Sequence, residues 1–299
     1  MAIPAKPASL LLATDLSARS DRALARAAQL AAHWQAELVL LVAMATDGEF
    51  SLPNRRADAD AGDDAPPPQT PLDHVRRLAE RQLEELGVQA QVRVVVDKPG
   101  PAAIAAAAEA GCGLIVTGTS RSEVAMRMDP GSTLRWLARH APVPVLAVHD
   151  RVRGPYRRVG VASDYSDAAT AALQLADAWF GDAAARDLVH GYEVPLSTLS
   201  LDDGPRAQAL QLAQQQAEDE ARRHLSQVLG EHAGRWAAHA QLGGPVRMLR
   251  EHARETAVDL TVIAAHGRSA LMDRLIGSVA DRLLETVGTD LLVVRPARD

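Results

Sequence analysis

The sequence repeats itself. Leu11-Leu12-Ala13-Thr14-Asp15-Leu16-Ser17 returns 149 positions later as Gly160-Val161-Ala162-Ser163-Asp164-Tyr165-Ser166. Gly131-Ser132 returns as Gly277-Ser278, and Val145-Leu146-Ala147-Val148 as Leu291-Leu292-Val293-Val294, each 146 positions on. Three matches in one order at nearly one period mark a tandem array in which each copy is one structural unit. The 299 residues then divide into two domains of ordinary size, 1–150 and 151–299, with the boundary between Asp150 and Tyr156. The three-residue difference in period falls inside a copy, where loops absorb it.

Within each copy, short apolar runs alternate with Ala/Leu/Arg-rich stretches of helical period. The runs of the first copy are Leu10–Ala13, Leu38–Ala43, Val92–Val96, Leu114–Thr117 and Val145–Val148. Those of the second are Val159–Ala162, Leu188–Gly191, Ala237–Gln241, Leu260–Ala264 and Leu291–Val294. Most are continuously apolar, as strands buried on both faces are. Between the first two, Asp21–Ala32 puts Leu24, Ala27, Ala28 and Ala31 on one helix face. Strand and helix in alternation predict an α/β fold: five strand candidates per copy in an open parallel sheet, helices on both faces, right-handed crossovers. With aromatics at 3%, the cores must be built from Ala, Val and Leu. Thr46–Asp73, rich in Asp, Gly, Pro and Asn, reads as a mobile acidic loop. Its counterpart near Pro195–Gly204 is shorter and turn-rich, and Gln208–Glu220 reads as a solvated helix with Leu210, Ala213 and Ala217 inward.

Other classes are disfavoured. A net charge of −6 and a pI near 5.9 leave no basic face for a nucleic acid. The single Cys112 supplies neither a disulfide framework nor a Cys-rich metal site and reads as a small buried hydrophobe. The ten histidines lack metal-ligand spacing; His224, His232 and His239 read as exposed helix or loop residues, and no metal site is expected. No apolar stretch approaches the ~20 residues of a membrane span. The start, Met-Ala-Ile-Pro-Ala-Lys-Pro, lacks a signal peptide's apolar segment, so a cytoplasmic protein with no membrane partner is expected. There is no Gly-x-x-x-x-Gly-Lys-Ser/Thr loop, and Gly111-Cys112-Gly113 precedes a strand instead of following one.

Ligands of open parallel sheets bind at the carboxyl ends of strands, where the winding reverses. Asp15 and Asp164 each follow a first strand. Past the fourth strand comes Gly118-Thr119-Ser120-Arg121, nine residues, then Gly131-Ser132-Thr133. The second copy has Ala264-Ala265-His266-Gly267-Arg268, then Gly277-Ser278-Val279 at the same spacing. Each second member opens a helix, Leu134–Ala141 or Val279–Thr286. Glycine admits an anion close to the backbone, and the free N–H groups at a helix start point at it. Gly and Ser also serve as plain turn and cap residues. Their recurrence at one spacing, each time with an Asp after strand one, favours a phosphate-bearing ligand.

These residues resemble the universal stress protein (UspA-type) family, over essentially the whole chain as two fused copies. The resemblance implies a Rossmann-like five-stranded sheet in each domain and ATP as cofactor, sometimes with Mg²⁺. It implies that the Asp meets adenine while the glycines and the Gly-Ser/Thr pair hold ribose and phosphates. These roles fall on Asp15, Gly118, Gly131, Ser132 and Thr133 in the first copy and on Asp164, Gly267, Gly277 and Ser278 in the second. Arg121 stands where the first copy should have its second glycine, so that motif is degenerate. In the second copy Ala264 replaces the first glycine, a single methyl that is mild if φ stays negative. His266, Arg268 and Val279 complete the better-preserved set, although Gly191 stands where ATP-binding members usually have Val. The resemblance further implies pairing through the last strands, Val145–Val148 with Leu291–Val294, as a pseudo-dimer within one chain, and leaves room for a homodimer. The function it implies is a nucleotide-binding sensor in the stress response; the alternative is a nucleotide-free dimerisation scaffold. Slow ATP hydrolysis ranks last, because no general base is evident beside a positioned water and metal.

Overall fold

The computed structural model describes residues 5–44, 70–122, 127–129, 131–266 and 276–295, with 120–122 and 127–129 described by backbone alone. The strands of the first copy are β1 (Ser9–Thr14), β2 (Glu37–Met44), β3 (Gln91–Val96), β4 (Leu114–Gly118) and β7 (Val145–Val148). Those of the second are β8 (Arg158–Ala162), β9 (Ala185–Tyr192), β10 (Ala237–Leu242), β11 (Leu260–Ala264) and β12 (Asp290–Val294). The main helices are α1 (Asp21–Trp34), α2 (Pro71–Glu85), α3 (Pro99–Glu109) and α4 (Gly131–His140), then α5 (Asp167–Phe180), α7 (Asp203–Leu229), α8 (Pro245–Thr256) and α9 (Ser278–Thr286). A one-turn α6 (Leu196–Leu199) precedes α7. None of the described helices is long and apolar enough to cross a membrane.

All ten main strands form one sheet, in the order β10-β9-β8-β11-β12-β7-β4-β1-β2-β3. Every neighbour pair is parallel except the central one, where β12 meets β7 antiparallel with Leu292 opposite Leu146. The two repeats are thus joined as the resemblance implies. Leu10, Leu12, Leu40, Val161, Leu188 and Val262 face α1, α2, α5 and α7 on one side. Leu11, Val39, Ile115, Val189 and Ile263 face α3, α4, α8 and α9 on the other. Two buried layers account for the continuously apolar strands. Cys112 is buried, its Sγ 3.2 Å from Ser9 Oγ.

The seam gathers buried polar and aromatic residues. Asp290 is fully buried. Its carboxylate accepts from Arg26 Nε at 3.2 Å, the Tyr156 hydroxyl at 2.6 Å, and the His149 and Asp150 amides at 2.8 and 3.0 Å. Arg26 also donates to the Gly154 carbonyl at 2.8 Å and lies 3.9 Å from the Tyr156 ring centre. Burial, then the neighbouring Asp290 charge, pushes the Tyr156 hydroxyl well above the ordinary tyrosine pKa. The segment between the repeats is therefore anchored at both ends, at His149-Asp150 and at Tyr156, while Arg151, Arg153 and Pro155 stay exposed. Trp34 of the first copy meets Trp179 and Phe180 of the second at ring distances of 5.4 and 5.8 Å. On the other face, Arg135 of α4 pairs with Glu285 of α9.

Two expectations change. The acidic loop lies outside the described residues from 46 to 69, but its end is helix: Thr70 caps α2 by accepting from the Asp73 amide at 3.2 Å, with Pro71 at the first turn. A hydroxyl three residues ahead of an acid, followed by Pro, is a helix start. Part of the nine-residue stretch after Arg121 forms a short antiparallel pair, β5 (Ser120–Ser122) with β6 (Arg127–Asp129).

Candidate ligand clefts at the strand ends

In the first repeat the order β7-β4-β1-β2-β3 reverses the winding between β1 and β4. In the second it reverses between β8 and β11. A cleft opens at the carboxyl end of each of these pairs. The first measures about 260 Å³ and is lined by Thr14, Asp15, Arg19, Gly118, Gly131, Ser132 and Thr133, among others. The second measures about 290 Å³ and includes Asp164, Ala264, His266, Gly277, Ser278 and Val279. Both fall just below the roughly 300–1,000 Å³ of small-molecule sites. Residues more than a hundred positions apart, singled out by spacing alone, thus come together in each copy. Gly267 and Arg268 lie outside the described residues, as does the Arg121 side chain.

The acidic turn is the same in both. Ser17 donates to Asp15 Oδ1 from its amide at 3.0 Å and its hydroxyl at 2.7 Å, and the Ser20 hydroxyl adds a third bond at 2.7 Å. Ser166 donates to Asp164 Oδ1 from its amide at 3.1 Å and its hydroxyl at 2.6 Å. The residue after each Asp is left-handed, Leu16 at φ 58° and Tyr165 at φ 61°. Each gives its amide to the hydroxyl two residues back, on Thr14 or Ser163. Burial pushes the Asp15 carboxyl up, but the serine hydrogen bonds outweigh it and hold its pKa below the ordinary value.

The two helix starts differ. Gly131 sits at φ +71°, which glycine alone adopts freely. Gly277 is extended, φ −61° and ψ 148°, and no side chain caps α9. The Gly277 amide is spent on the Ala265 carbonyl at 2.8 Å, so the N–H groups to which the helix itself gives no partner are those of Ser278, Val279 and Ala280, all of which line the cleft. Ala264 keeps a negative φ, and a Cβ at its counterpart Gly118 would stand 3.5 Å from the nearest atom, ordinary contact. Alanine therefore fits where the pattern has glycine. Gly191 is closely packed: a Cβ there would come 3.0 Å from the Gly243 carbonyl oxygen and 3.5 Å from Met248 Sδ, so a larger residue needs that backbone to give by a few tenths of an ångström.

Spacing did not reveal the remaining walls. Pro99 and Pro245, first residues of α3 and α8, line equivalent edges. Their repeat at helix starts, 146 apart, was the available signal. His190 lines the second cleft, donates from Nδ1 to the Ser163 carbonyl at 2.8 Å, and stacks on Tyr165 at 4.3 Å. Ala162, Val189, Gly191, Met248 and Ile263 make its inner wall apolar. An apolar slot that ends in uncapped helix amides suits a flat ring carrying an anionic tail.

A family profile described as "Universal stress protein family" matches residues 8–149 and again 155–295. A solved structure of a functionally unknown protein from Pseudomonas aeruginosa PAO1 is 21% identical, with 97% of this chain and 93% of that one covered at a TM-score of 0.64. A universal stress protein from Archaeoglobus fulgidus DSM 4304 is 17% identical, with 96% and 98% covered at a TM-score of 0.63. These likenesses show the fold. No curated protein matches the chain.

Proposed function

Because this chain belongs to the universal stress protein family, with two copies of its domain, we propose that it is a nucleotide-binding stress-response sensor, with ATP as ligand of the second-repeat cleft. The observation that carries this reading is the pairing of the apolar slot with the uncapped start of α9 at the point where the winding reverses. Adenine would lie against Val189, Met248 and Ile263 near Asp164, and the phosphates against Gly277, Ser278 and Val279. Among the described residues, Asp164 is the only carboxylate lining this cleft, and its Oδ1 already accepts twice from Ser166. A Mg²⁺ ion would therefore arrive with the nucleotide, held mainly by phosphate oxygens. The first cleft is more polar, with Thr14, Arg19, Thr117 and Thr119 in its wall, and is the weaker site for a purine. Occupancy of the second cleft would bias the shape or partners of a cytoplasmic protein.

Thermal unfolding with and without millimolar ATP and Mg²⁺ tests this reading. A ligand that binds the folded state alone raises the melting temperature, and Gly277→Val should abolish the rise while leaving the fold intact. If ATP shifts nothing in the wild type, the two repeats are a nucleotide-free scaffold, for which the antiparallel junction of β7 and β12 is the supporting feature.

A further inference from the structure

We propose that the second repeat carries a binding site for a divalent transition-metal ion of the Zn²⁺ class, formed by Asp187, His239 and His252. The three residues come from three elements, β9, β10 and α8. Their ligand atoms all lie within 4.8 Å of one another. His239 Nε2 is 3.2 Å from Asp187 Oδ1, and His252 Nε2 is 3.1 Å from Asp187 Oδ2. Ligands about 2.0–2.2 Å from a tetrahedral zinc stand roughly 3.3–3.6 Å apart, so ligand atoms already within 4.8 Å of one another would draw together by at most about 1.5 Å to close on an ion. Two imidazoles and one carboxylate are also the donor set borderline metals favour, with a fourth position left to water or an incoming ligand. Asp187 and His252 are buried, while the His239 side chain is 43% exposed and opens the site to solvent.

The first repeat shows that the fold does not require these groups. Val189 pairs with His239 across β9 and β10 as Leu41 pairs with Arg93 across β2 and β3. Asp187 then corresponds to Val39, and, counting from Pro245 and Pro99 at the helix starts, His252 corresponds to Ala106. One copy fills the position with Val39 and Ala106 and turns Arg93 to Glu109 at 3.0 Å. The other places three metal-ligating side chains there together. The sequence reading of His239 as an exposed helix or loop residue is corrected on the way: it lies in β10 and is partly buried. Ligands 52 and 13 residues apart have no local spacing to recognise.

The test is calorimetric titration of the chelator-treated full chain with Zn²⁺, repeated on His239→Gln and His252→Gln. Co²⁺ absorption provides a second readout of tetrahedral geometry. The proposal expects one equivalent of Zn²⁺, weakened more than about tenfold in either variant, since even outer-shell changes cost that much. It also expects a Co²⁺ spectrum that both variants lose. Should His252→Gln fail to fold, His239→Gln, at a partly exposed strand position, carries the test alone. No Zn²⁺ uptake by the wild type, or uptake that His239→Gln leaves unchanged, overturns the proposal and leaves the cluster as hydrogen-bonded packing.

Discussion

Leu16 and Tyr165 hold the left-handed backbone at a cost of about 1–2 kcal/mol each. In both repeats this turn aims Asp15 or Asp164 back onto its own serine. The Asp-x-Ser repeat was visible in the sequence; the strain at x was not, because neither Leu nor Tyr signals a positive φ. Since the folded Asp15 pKa lies below its unfolded value, its contribution to stability is complete above about pH 4 and fades as pH falls through the folded value. Asp15→Asn should therefore flatten the acid limb of a melting-temperature profile, and an unchanged limb would count against the assignment. The two motif glycines should also separate. Gly131→Ala forces a side chain to φ +71° and should cost about 1–2 kcal/mol. Gly277→Ala, in extended backbone, should leave chemical denaturation nearly unchanged. Equal losses at the two would contradict the difference in conformation.

Elements built on apolar runs were legible and those built on polar geometry were not. Nine of the ten main strands begin and end within one residue of the expected runs, because burial on both faces leaves an uninterrupted apolar signal. The exception, β9, starts at Ala185 instead of Leu188, and its polar opening Arg186-Asp187 hid the start of the strand and, with it, the His-Asp cluster. The β5–β6 pair and α6 are too short to show a period. Arg26, on the inner face of α1, gave no sign that its partner was Asp290, 264 residues away. Asp290→Ala would leave the buried Arg26 without its carboxylate, and such losses cost about 3–5 kcal/mol. Asp203→Ala, which breaks an exposed pair with Arg206, should cost at most about 1 kcal/mol. Denaturant titration of the two variants checks the contrast. Gly191→Val should cost about 1–3 kcal/mol by overpacking against Gly243 and Met248. Gly191, a departure from the family pattern, lies where the Gly243 backbone passes close by.

At the scale of the whole molecule, two repeats share one sheet, with Trp34, Trp179 and Phe180 meeting across the seam. Strands β7 and β12 and the Asp290 network tie the halves together, so they should unfold in one transition with coincident far-UV and near-UV signals. Two separated transitions would show that the seam does not couple them. The repeat also made the second cleft readable, because one spacing occurred twice; the metal-ligand cluster occurs once and had no such echo. The proposed nucleotide site of the second repeat lies at the start of α9. Calorimetric titration of the full chain with ATP and Mg²⁺, beside Gly277→Val, tests it most directly. One bound equivalent in the wild type, lost in the folded Gly277→Val variant, is the expected result. An isotherm that Gly277→Val leaves unchanged, or no binding by the wild type at millimolar ATP, would contradict it.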